Sequence, residues 1–144
     1  DLDYIHSVER ISKFSNVISI NGGVQLDLMG QENAESTGTR QLSGVGGQMD
    51  FLEGAYRSKG GKGFICINSS RVTKDGERKS NILATIPGGS TISAPRTMIQ
   101  YVATEYGIAS LSGKTLRERA EAMASIAHPD FREELMKYAQ ENFK

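Results

Sequence analysis

The chain has 144 residues, in which 17 Lys and Arg balance 17 Asp and Glu, and it contains a single Cys. This length can build one hydrophobic core, so we interpret residues 1–144 as a single domain. The longest apolar runs have four or five residues, well short of the roughly 18 that a membrane span needs, and no signal-peptide pattern opens the chain. We therefore expect a cytoplasmic protein without a membrane partner, and the zero net charge argues against a dedicated nucleic-acid binder.

The predicted elements mix strands and helices. Alternating or β-branched runs predict strands at residues 16–21, 24–29, 63–68, 82–87, 91–95 and, less regularly, 101–105. A helix is predicted after the Gly-rich residues 44–47, because one face would carry Met49, Leu52, Ala55 and Tyr56. Several strands follow one another over short links, so the pattern predicts an α/β domain with a mixed sheet.

Two more helices are predicted near the C-terminus. Thr115 and Glu118 have capping-box spacing, and the apolar stripe that follows ends before His128 and Pro129. Asp130 is then expected to cap a final helix that carries Phe131, Leu135 and Tyr138.

Charge is unevenly distributed along the chain. Residues 1–53 carry 3 basic and 8 acidic side chains, whereas residues 54–80 carry 7 and 2. We interpret the basic stretch as a solvated surface rather than a phosphate site; its members are Arg57, Lys59, Lys62, Arg71, Lys74, Arg78 and Lys79. Cys66, in the apolar run 63–67, is predicted to pack in the core, and it has no recognisable metal-ligand spacing with His6 or His128.

Gly44-Val45-Gly46-Gly47-Gln48 is the strongest local signal. Glycines before a helix let a ligand approach backbone N–H groups at the positive helix end, but they can equally form a tight turn that binds nothing. A dinucleotide fingerprint would need a third glycine where Met49 stands. Gly113-Lys114-Thr115 lacks the glycine spacing of a phosphate-binding loop and is better explained as a turn that delivers Thr115 as a helix cap.

The residue types alone identify no catalytic group. His6, His128, Cys66 and the serines follow no order that specifies a triad. We interpret His128 as a structural residue at a helix junction. Glu105 is interpreted as a buried carboxylate bonded to neighbouring backbone, with a general base as the alternative.

Six segments then agree, in order, with one family pattern. They are residues 21–31 (NGGVQLDLMGQ), 43–51 (SGVGGQMDF), 58–62 (SKGGK), 101–109 (YVATEYGIA), 116–120 (LRERA) and 126–132 (IAHPDFR). Together they resemble the acetyl-CoA hydrolase and 4-hydroxybutyrate CoA-transferase family. The resemblance implies an open, mixed-sheet α/β domain of the CoA-transferase type with flanking helices, which faces a similar domain across the active-site cleft.

The resemblance also implies an activity. An enzyme of this family moves CoA between a short-chain acyl-CoA, such as 4-hydroxybutyryl-, butyryl- or acetyl-CoA, and a carboxylate such as acetate. The reaction passes through a glutamyl-CoA thioester, so CoA is a substrate and no metal is required. The family's Glu lies in a segment reading His, Ser or Thr, Glu and Met, followed shortly by Ser-Asp-Gly, and this segment is absent here.

Residues 6–9 (HSVE) are only a shifted echo of that segment, so we assign no catalytic residue in this chain. The chain opens with Asp1 rather than Met. We expect it to be the C-terminal half of a longer enzyme whose N-terminal domain is missing, and to be inactive alone.

Two positions carry over from the family as CoA contacts, Val24 and Gly47. Val24 would offer apolar surface, and Gly47 would let the thioester approach a backbone N–H. Asn33 is a candidate polar contact near the acyl group, and Gly46 and Gln48 are candidates as neighbours of Gly47.

The chain departs from the family pattern at two places. Gly22-Gly23 stands where Ser-Ala or Ser-Cys is more usual, and Glu32 stands where an aliphatic residue is usual. Either could alter the acyl pocket. Two further readings stay open: an acetyl-CoA hydrolase and a non-catalytic CoA-binding module. The resemblance favours a homodimer or tetramer of full-length chains, and an isolated half would expose apolar interdomain surface.

Overall fold

The computed structural model describes residues 1–143. Its helices are α1 (Leu2–Ile5), α2 (Val8–Ile11), α3 (Gln48–Arg57), α4 (Leu116–Ser125) and α5 (Pro129–Asn142). Its strands are β1 (Ile18–Gly22), β2 (Gln25–Asp27), β3 (Glu32–Asn33), β4 (Ser36–Thr37), β5 (Arg40–Gln41), β6 (Lys62–Cys66), β7 (Ser70–Val72), β8 (Arg78–Ser80), β9 (Ile82–Leu83), β10 (Tyr101–Thr104) and β11 (Gly107–Ser110). None of the helices in this part of the chain is long and apolar enough to cross a bilayer.

Four strands form the main sheet, in the order β1, β6, β10, β11. The first three strands are parallel, whereas β11 folds back antiparallel to β10 after a tight turn. Ile20, Phe64 and Tyr101 are register partners across the parallel strands. The predicted α/β class with an open mixed sheet is therefore confirmed.

The main sheet is covered on one face. Ile65, Val102 and Ala109 are buried, and α3 and α4 pack against these strands. The other face, which we call the open sheet face, carries side chains of alternate residues, in keeping with the two-residue period of a strand. Its members are Ile18, Ile20, Phe64, Cys66, Tyr101 and Ile108.

The prediction that Cys66 packs in the core is wrong. Cys66 is exposed at the last position of β6, where it shares the open sheet face with Phe64. The run of apolar residues around it is typical of a strand buried on both faces. Here Ile65 and Ile67 are buried in the core, whereas Phe64 and Cys66 lie on the opposite face, which no helix of residues 1–143 covers.

A smaller sheet of three strands, β3, β2 and β9, lies beside the main one. It contains the predicted strands at 24–29 and 82–87, which are shortened to residues 25–27 and 82–83. The strand predicted at 91–95 is wrong, since Ala94 forms only an isolated bridge to Glu32. β3 has only two residues, so residues 91–95 have no strand of matching length to pair with there. The β7–β8 hairpin and β11 were not predicted.

The helices follow their predicted apolar faces with three corrections. In α4, Leu116 was predicted on the apolar stripe but is exposed. In α3, Leu52 and Ala55 are buried but Tyr56 is 56% exposed, so Tyr56 lies off the buried face. In α5, the N-cap is His128, whose Nδ1 accepts a hydrogen bond of 3.3 Å from the Asp130 N–H. Asp130 is therefore not the cap, because Pro129 occupies the first helical position and places His128 before it.

Other predictions about local structure are confirmed. Thr115 and Glu118 form a reciprocal capping box at the start of α4, and Gly113, at a φ of +71°, forms the turn before it. His128 is a junction residue between α4 and α5. The seven basic side chains between Arg57 and Lys79 are all exposed.

Candidate functional site

The carboxyl ends of the parallel strands form the edge where the candidate site lies. β1, β6 and β10 end at Gly22, Cys66 and Thr104, and a cavity of about 430 Å³ opens beside them. Ligands of open α/β sheets bind outside this edge of the sheet. The cavity is lined by Gly23, Cys66, Ile67, Asn68, Ala103, Thr104 and Glu105.

The Gly-rich turn, residues 44–47, leads into α3. This helix packs against β1 and β6. Gly46 has a φ of +59°, and Gly47 is the N-cap of α3 without a side-chain cap bond. The turn therefore exposes the first N–H groups of α3, as a site for a developing negative charge would require.

His6 limits access to Gly47. A Cβ built on Gly47 would stand 2.7 Å from the Nδ1 of His6. The His6 ring lies 3.4 Å from the Asp50 carboxylate, measured from Nδ1 to Oδ2, and packs edge-on against Phe51 at 5.4 Å between centroids. A ligand that approached the Cα of Gly47 from this side would have to displace His6.

Val24 and Asn33 lie next to each other in the small sheet. The Val24 N–H donates a hydrogen bond of 2.9 Å to the Asn33 carbonyl. The Asn33 side chain is itself engaged: Oδ1 accepts from the N–H groups of Glu35 and Ser36, at 3.1 and 2.9 Å, and Nδ2 donates to the Ser36 carbonyl. Contact of Asn33 with a substrate remains a prediction, and in this structure the carboxamide stabilises the turn after β3.

Gln48 connects α3 to the small sheet. Its Nε2 donates a hydrogen bond to an oxygen of the Glu32 carboxyl group. Glu32 precedes Asn33 in β3, so side-chain and backbone bonds link the candidates Gln48, Asn33 and Val24. Gly46 and Gly47 join this group as the residues directly before Gln48.

The Glu32 carboxyl group is fully buried. Burial raises its pKa to about 8, and the nearby charge of Glu35 acts in the same direction, while the bond from Gln48 acts against it. Glu32 Oε1 has no hydrogen-bond partner within residues 1–143. Below pH 8 the side chain is therefore mainly a neutral acid.

Gly23 makes the room that this carboxyl group occupies. A Cβ on Gly23 would stand 2.8 Å from Glu32 Oε1 and 3.1 Å from the Cγ2 of Ile65. The two places where the chain departs from the family pattern are thus in direct contact. Sequence reasoning singled out both residues, but it did not predict their contact or the bond between Glu32 and Gln48.

Glu105 lines the cavity and is exposed, so the prediction that it is buried is wrong. Its bonding is as predicted: the carboxylate accepts hydrogen bonds from the Ser69 N–H at 2.9 Å and from the Ser69 Oγ at 2.6 Å. Desolvation acts to raise the pKa of Glu105, but the hydrogen bonds from Ser69 and from backbone together outweigh it and hold the pKa below its ordinary value. Glu105 is a carboxylate at neutral pH, and its proton affinity is weak for a general base.

Comparison with known proteins identifies the family. Residues 1–139 match the family described as the acetyl-CoA hydrolase/transferase C-terminal domain. The 4-hydroxybutyrate coenzyme A transferase of Clostridium kluyveri is 48% identical over 142 residues, which are 99% of this chain and 32% of that protein. The butyryl-CoA:acetate CoA-transferase of Anaerostipes caccae is 47% identical over 139 residues, 96% of this chain and 31% of that protein.

A solved structure shows the same fold. RipA from Yersinia pestis superimposes with a TM-score of 0.84 at 40% identity, over 96% of this chain and 30% of that one. The chain thus spans about a third of the length of the relatives that it matches. It belongs to the acetyl-CoA hydrolase/transferase C-terminal domain family.

Proposed function

We propose that the full-length protein is a CoA-transferase that exchanges CoA between a short-chain acyl-CoA and a carboxylate such as acetate. The supporting observation is the similarity of 47–48% identity, over nearly the whole chain, to two relatives named as CoA-transferases. The substrates in their names suggest 4-hydroxybutyryl-CoA, butyryl-CoA and acetyl-CoA as donors to test. In this proposal residues 1–144 are the C-terminal domain, and the N-terminal domain carries the nucleophilic Glu.

The proposed chemistry conserves the thioester bond energy. The Glu carboxylate attacks the acyl-CoA carbonyl and forms a mixed anhydride, which releases the CoA thiolate. The thiolate then attacks the glutamyl carbonyl of the anhydride, so the acyl group leaves as a carboxylate and a glutamyl-CoA thioester remains. An incoming carboxylate reverses both steps, which yields the new acyl-CoA and restores the Glu.

This chain would supply surfaces that hold CoA and the developing negative charge. The backbone N–H groups at Gly47 and at the start of α3 lie at the positive end of a helix dipole, where an oxyanion is stabilised. Val24, half-buried beside β3, would give apolar contact to the acyl or pantetheine chain. Gly46 and Gln48 would shape the entrance to this turn.

The first test is an intact-mass measurement on the full-length protein after incubation with acetyl-CoA and borohydride. Reduction of a glutamyl thioester changes the mass of the protein. When the change is mapped to a peptide, we expect that peptide to lie upstream of Asp1. Absence of the change, together with demonstrated CoA binding, would support either the non-catalytic module or a hydrolase whose intermediate does not accumulate.

Acetate addition distinguishes a transferase from the hydrolase that the family description also names. A transferase consumes butyryl-CoA only when acetate is present and forms an equal amount of acetyl-CoA. A hydrolase releases free CoA at the same rate with or without acetate. Product analysis by chromatography therefore separates the two readings.

The Gly47→Val substitution tests the site assignment. We expect kcat/KM to fall by about 10- to 100-fold, since the side chain blocks approach to the backbone N–H. Gly44→Val is the matched control in the same loop, because a Cβ at Gly44 meets no atom within 4 Å.

His6 makes a second comparison necessary. Gly47→Ala alone could act by pushing the His6 ring aside, so it is measured with and without His6→Ala. If ligand approach is what matters, the double variant stays impaired. Recovery of activity in the double variant would contradict the assignment of Gly47 as a CoA contact.

The proposal also includes a cytoplasmic location, together with a homodimer or tetramer of full-length chains, which the family resemblance implies. Cell fractionation and sedimentation equilibrium of the full-length protein test these two points.

A further inference from the structure

Glu32 is a buried acid within the candidate site that the proposed chemistry does not use. Its backbone is fixed on both sides: its N–H donates to the Ala94 carbonyl at 3.0 Å, and its carbonyl accepts from the Ser93 N–H at 2.8 Å. Glu32 also pairs with Leu26 across the small sheet. A side chain that projects from such a fixed backbone can hold a neighbouring segment in one position.

The neighbouring segment is the start of α3. Gln48 is the first residue of that helix, and its Nε2 donates to the Glu32 carboxyl group. Gly46 and Gly47 directly precede Gln48, so the bond fixes the chain immediately after the candidate CoA turn. An aliphatic residue at position 32 would give Gln48 no acceptor there.

Gly23 is the third member of the arrangement. Its missing side chain leaves the space that Glu32 Oε1 fills, at 2.8 Å from where a Cβ would stand. Gly23 also lines the cavity at the carboxyl ends of the strands. The carboxyl group thus lies directly behind the cavity wall, between that wall and α3.

We propose that Glu32 is a positioning residue that, through Gln48, holds the Gly46–Gly47 turn in its CoA-binding arrangement, and that Gly23 is required to accommodate it. The inference depends on the proposed function, since the turn matters only if it binds CoA. Glu32 touches no reacting atom and acts entirely through Gln48.

The surroundings of Glu32 make this arrangement sensitive to pH. Gln48 on α3 and Gly23 beside β2 face the carboxyl group and are neutral, as is Ile65 on β6, which lies against the space at Gly23. Glu35 is the charged neighbour that acts on the carboxyl group. Ionisation above pH 8 would leave a buried negative charge with one donor and a repelling neighbour. The bond from Gln48 favours the carboxylate, but burial disfavours it more strongly, so we expect the carboxylate to move toward water and to release Gln48.

Kinetics of the full-length enzyme test the proposal. Glu32→Val removes the acceptor, and we expect KM for the acyl-CoA at pH 7 to rise by about 3- to 10-fold with a smaller change in kcat, as for the loss of one hydrogen bond. Glu32→Gln retains an oxygen acceptor and cannot ionise. It should keep the wild-type KM at pH 7 and lose the rise in KM that the wild type shows above pH 8. An unchanged KM in Glu32→Val would overturn the proposal.

A double-mutant comparison tests the role of Gly23. Gly23→Ala should raise KM because its Cβ displaces the carboxyl group, whereas the same change added to Glu32→Val should have a smaller effect, since only the contact with Ile65 Cγ2 at 3.1 Å remains. Effects that multiply independently would contradict the coupling. Thermal melting of each variant separates these changes from a loss of folding.

A direct readout does not depend on activity. The side-chain amide resonances of Gln48 in the ¹⁵N-labelled chain should shift with a midpoint near pH 8, and this titration should disappear in Glu32→Gln. Its absence in the wild type would overturn the pH sensitivity of the arrangement, whereas the KM of Glu32→Val decides the positioning role. Lack of CoA transfer by the wild-type full-length protein would instead overturn the proposed function, whatever the resonances show.

Discussion

At the level of single residues, Glu32 makes the stability of the chain depend on pH. Its pKa is about 8 in the folded chain, against an ordinary value of 4.5. The folded state therefore keeps a proton that the unfolded state loses between these two values. The contribution of Glu32 to stability is complete below pH 4.5 and declines as pH rises to 8.

We predict that the free energy of unfolding of Glu32→Gln falls less than that of the wild type between pH 5 and 8. The difference between the two proteins should change by about 1.4 kcal/mol per pH unit within this range. Urea unfolding at four pH values measures it. Parallel profiles for the two proteins would show that Glu32 does not hold its proton in the folded state.

The candidate residues could be predicted from the sequence, but their contacts with each other could not. The resemblance brought Val24, Asn33 and Gln48 forward as separate candidates, and the structure links them by hydrogen bonds around β3. The acceptor of the Gln48 bond could not be predicted, because residues 32 and 48 meet only through the packing of α3 against the sheets. A charged residue in a two-residue strand carries no local signal that it is buried.

At the level of elements, Arg119 joins α4 to three other segments. Its guanidinium donates from Nε to the Met29 carbonyl at 2.9 Å, and from Nη1 and Nη2 to the carbonyls of Leu111 and Arg96, each at 2.8 Å. Gly30, at a φ of +85°, allows the close approach, since a Cβ there would stand 2.7 Å from Nη2. Burial lowers the pKa of Arg119, yet three carbonyl acceptors surround the group.

We predict that Arg119→Lys lowers the free energy of unfolding by about 2–4 kcal/mol. An ammonium group cannot reach carbonyls in three directions with the fork geometry of arginine, and carbonyls in one buried and two partly buried bonds would lose partners. Urea unfolding gives the value. Arg117→Lys, at an exposed position of the same helix, is the control and should change stability by less than about 0.5 kcal/mol.

Elements with strong periodicity were predictable, and those defined by a distant partner were not. The buried stripe and capping box of α4 were both read from the sequence. The segment 91–95 has strand-like composition, but its only available partner is the short β3. Residue composition indicates only that a segment favours the strand conformation. To form a ladder of hydrogen bonds, the segment also needs a neighbouring strand of matching length.

At the level of the whole molecule, one face of the main sheet lacks a covering layer within residues 1–143. Ile20 is 67% exposed and Ile108 is 64% exposed, and β1 is an edge strand of the sheet. Parallel strands are usually covered on both faces. The open sheet face and the free edge therefore favour association with another surface.

We predict that the 144-residue chain self-associates as its concentration rises, and that Ile20→Lys with Ile108→Lys reduces this association. The lysines place charge on the open sheet face without entering the core. Sedimentation velocity measures the effect. Val72→Lys is the control, because Val72 is similarly exposed but lies in the β7–β8 hairpin. An equal reduction by the control would show that general charge, rather than this face, governs association.

The open mixed sheet could be predicted from the order and spacing of strands, but the covering of its faces could not. A strand with helices on one side and a strand with helices on both sides can share the same apolar composition over a few residues. For this reason Cys66 was expected in the core, although only Ile65 of this pair is buried.

The position of Cys66 has a practical consequence. It is the single thiol of the 144-residue chain, and it is exposed at the wall of the cavity beside the parallel strands. A maleimide fluorophore would therefore attach to one place without any engineered cysteine. The emission of that dye would report directly on whether the cleft is empty or filled.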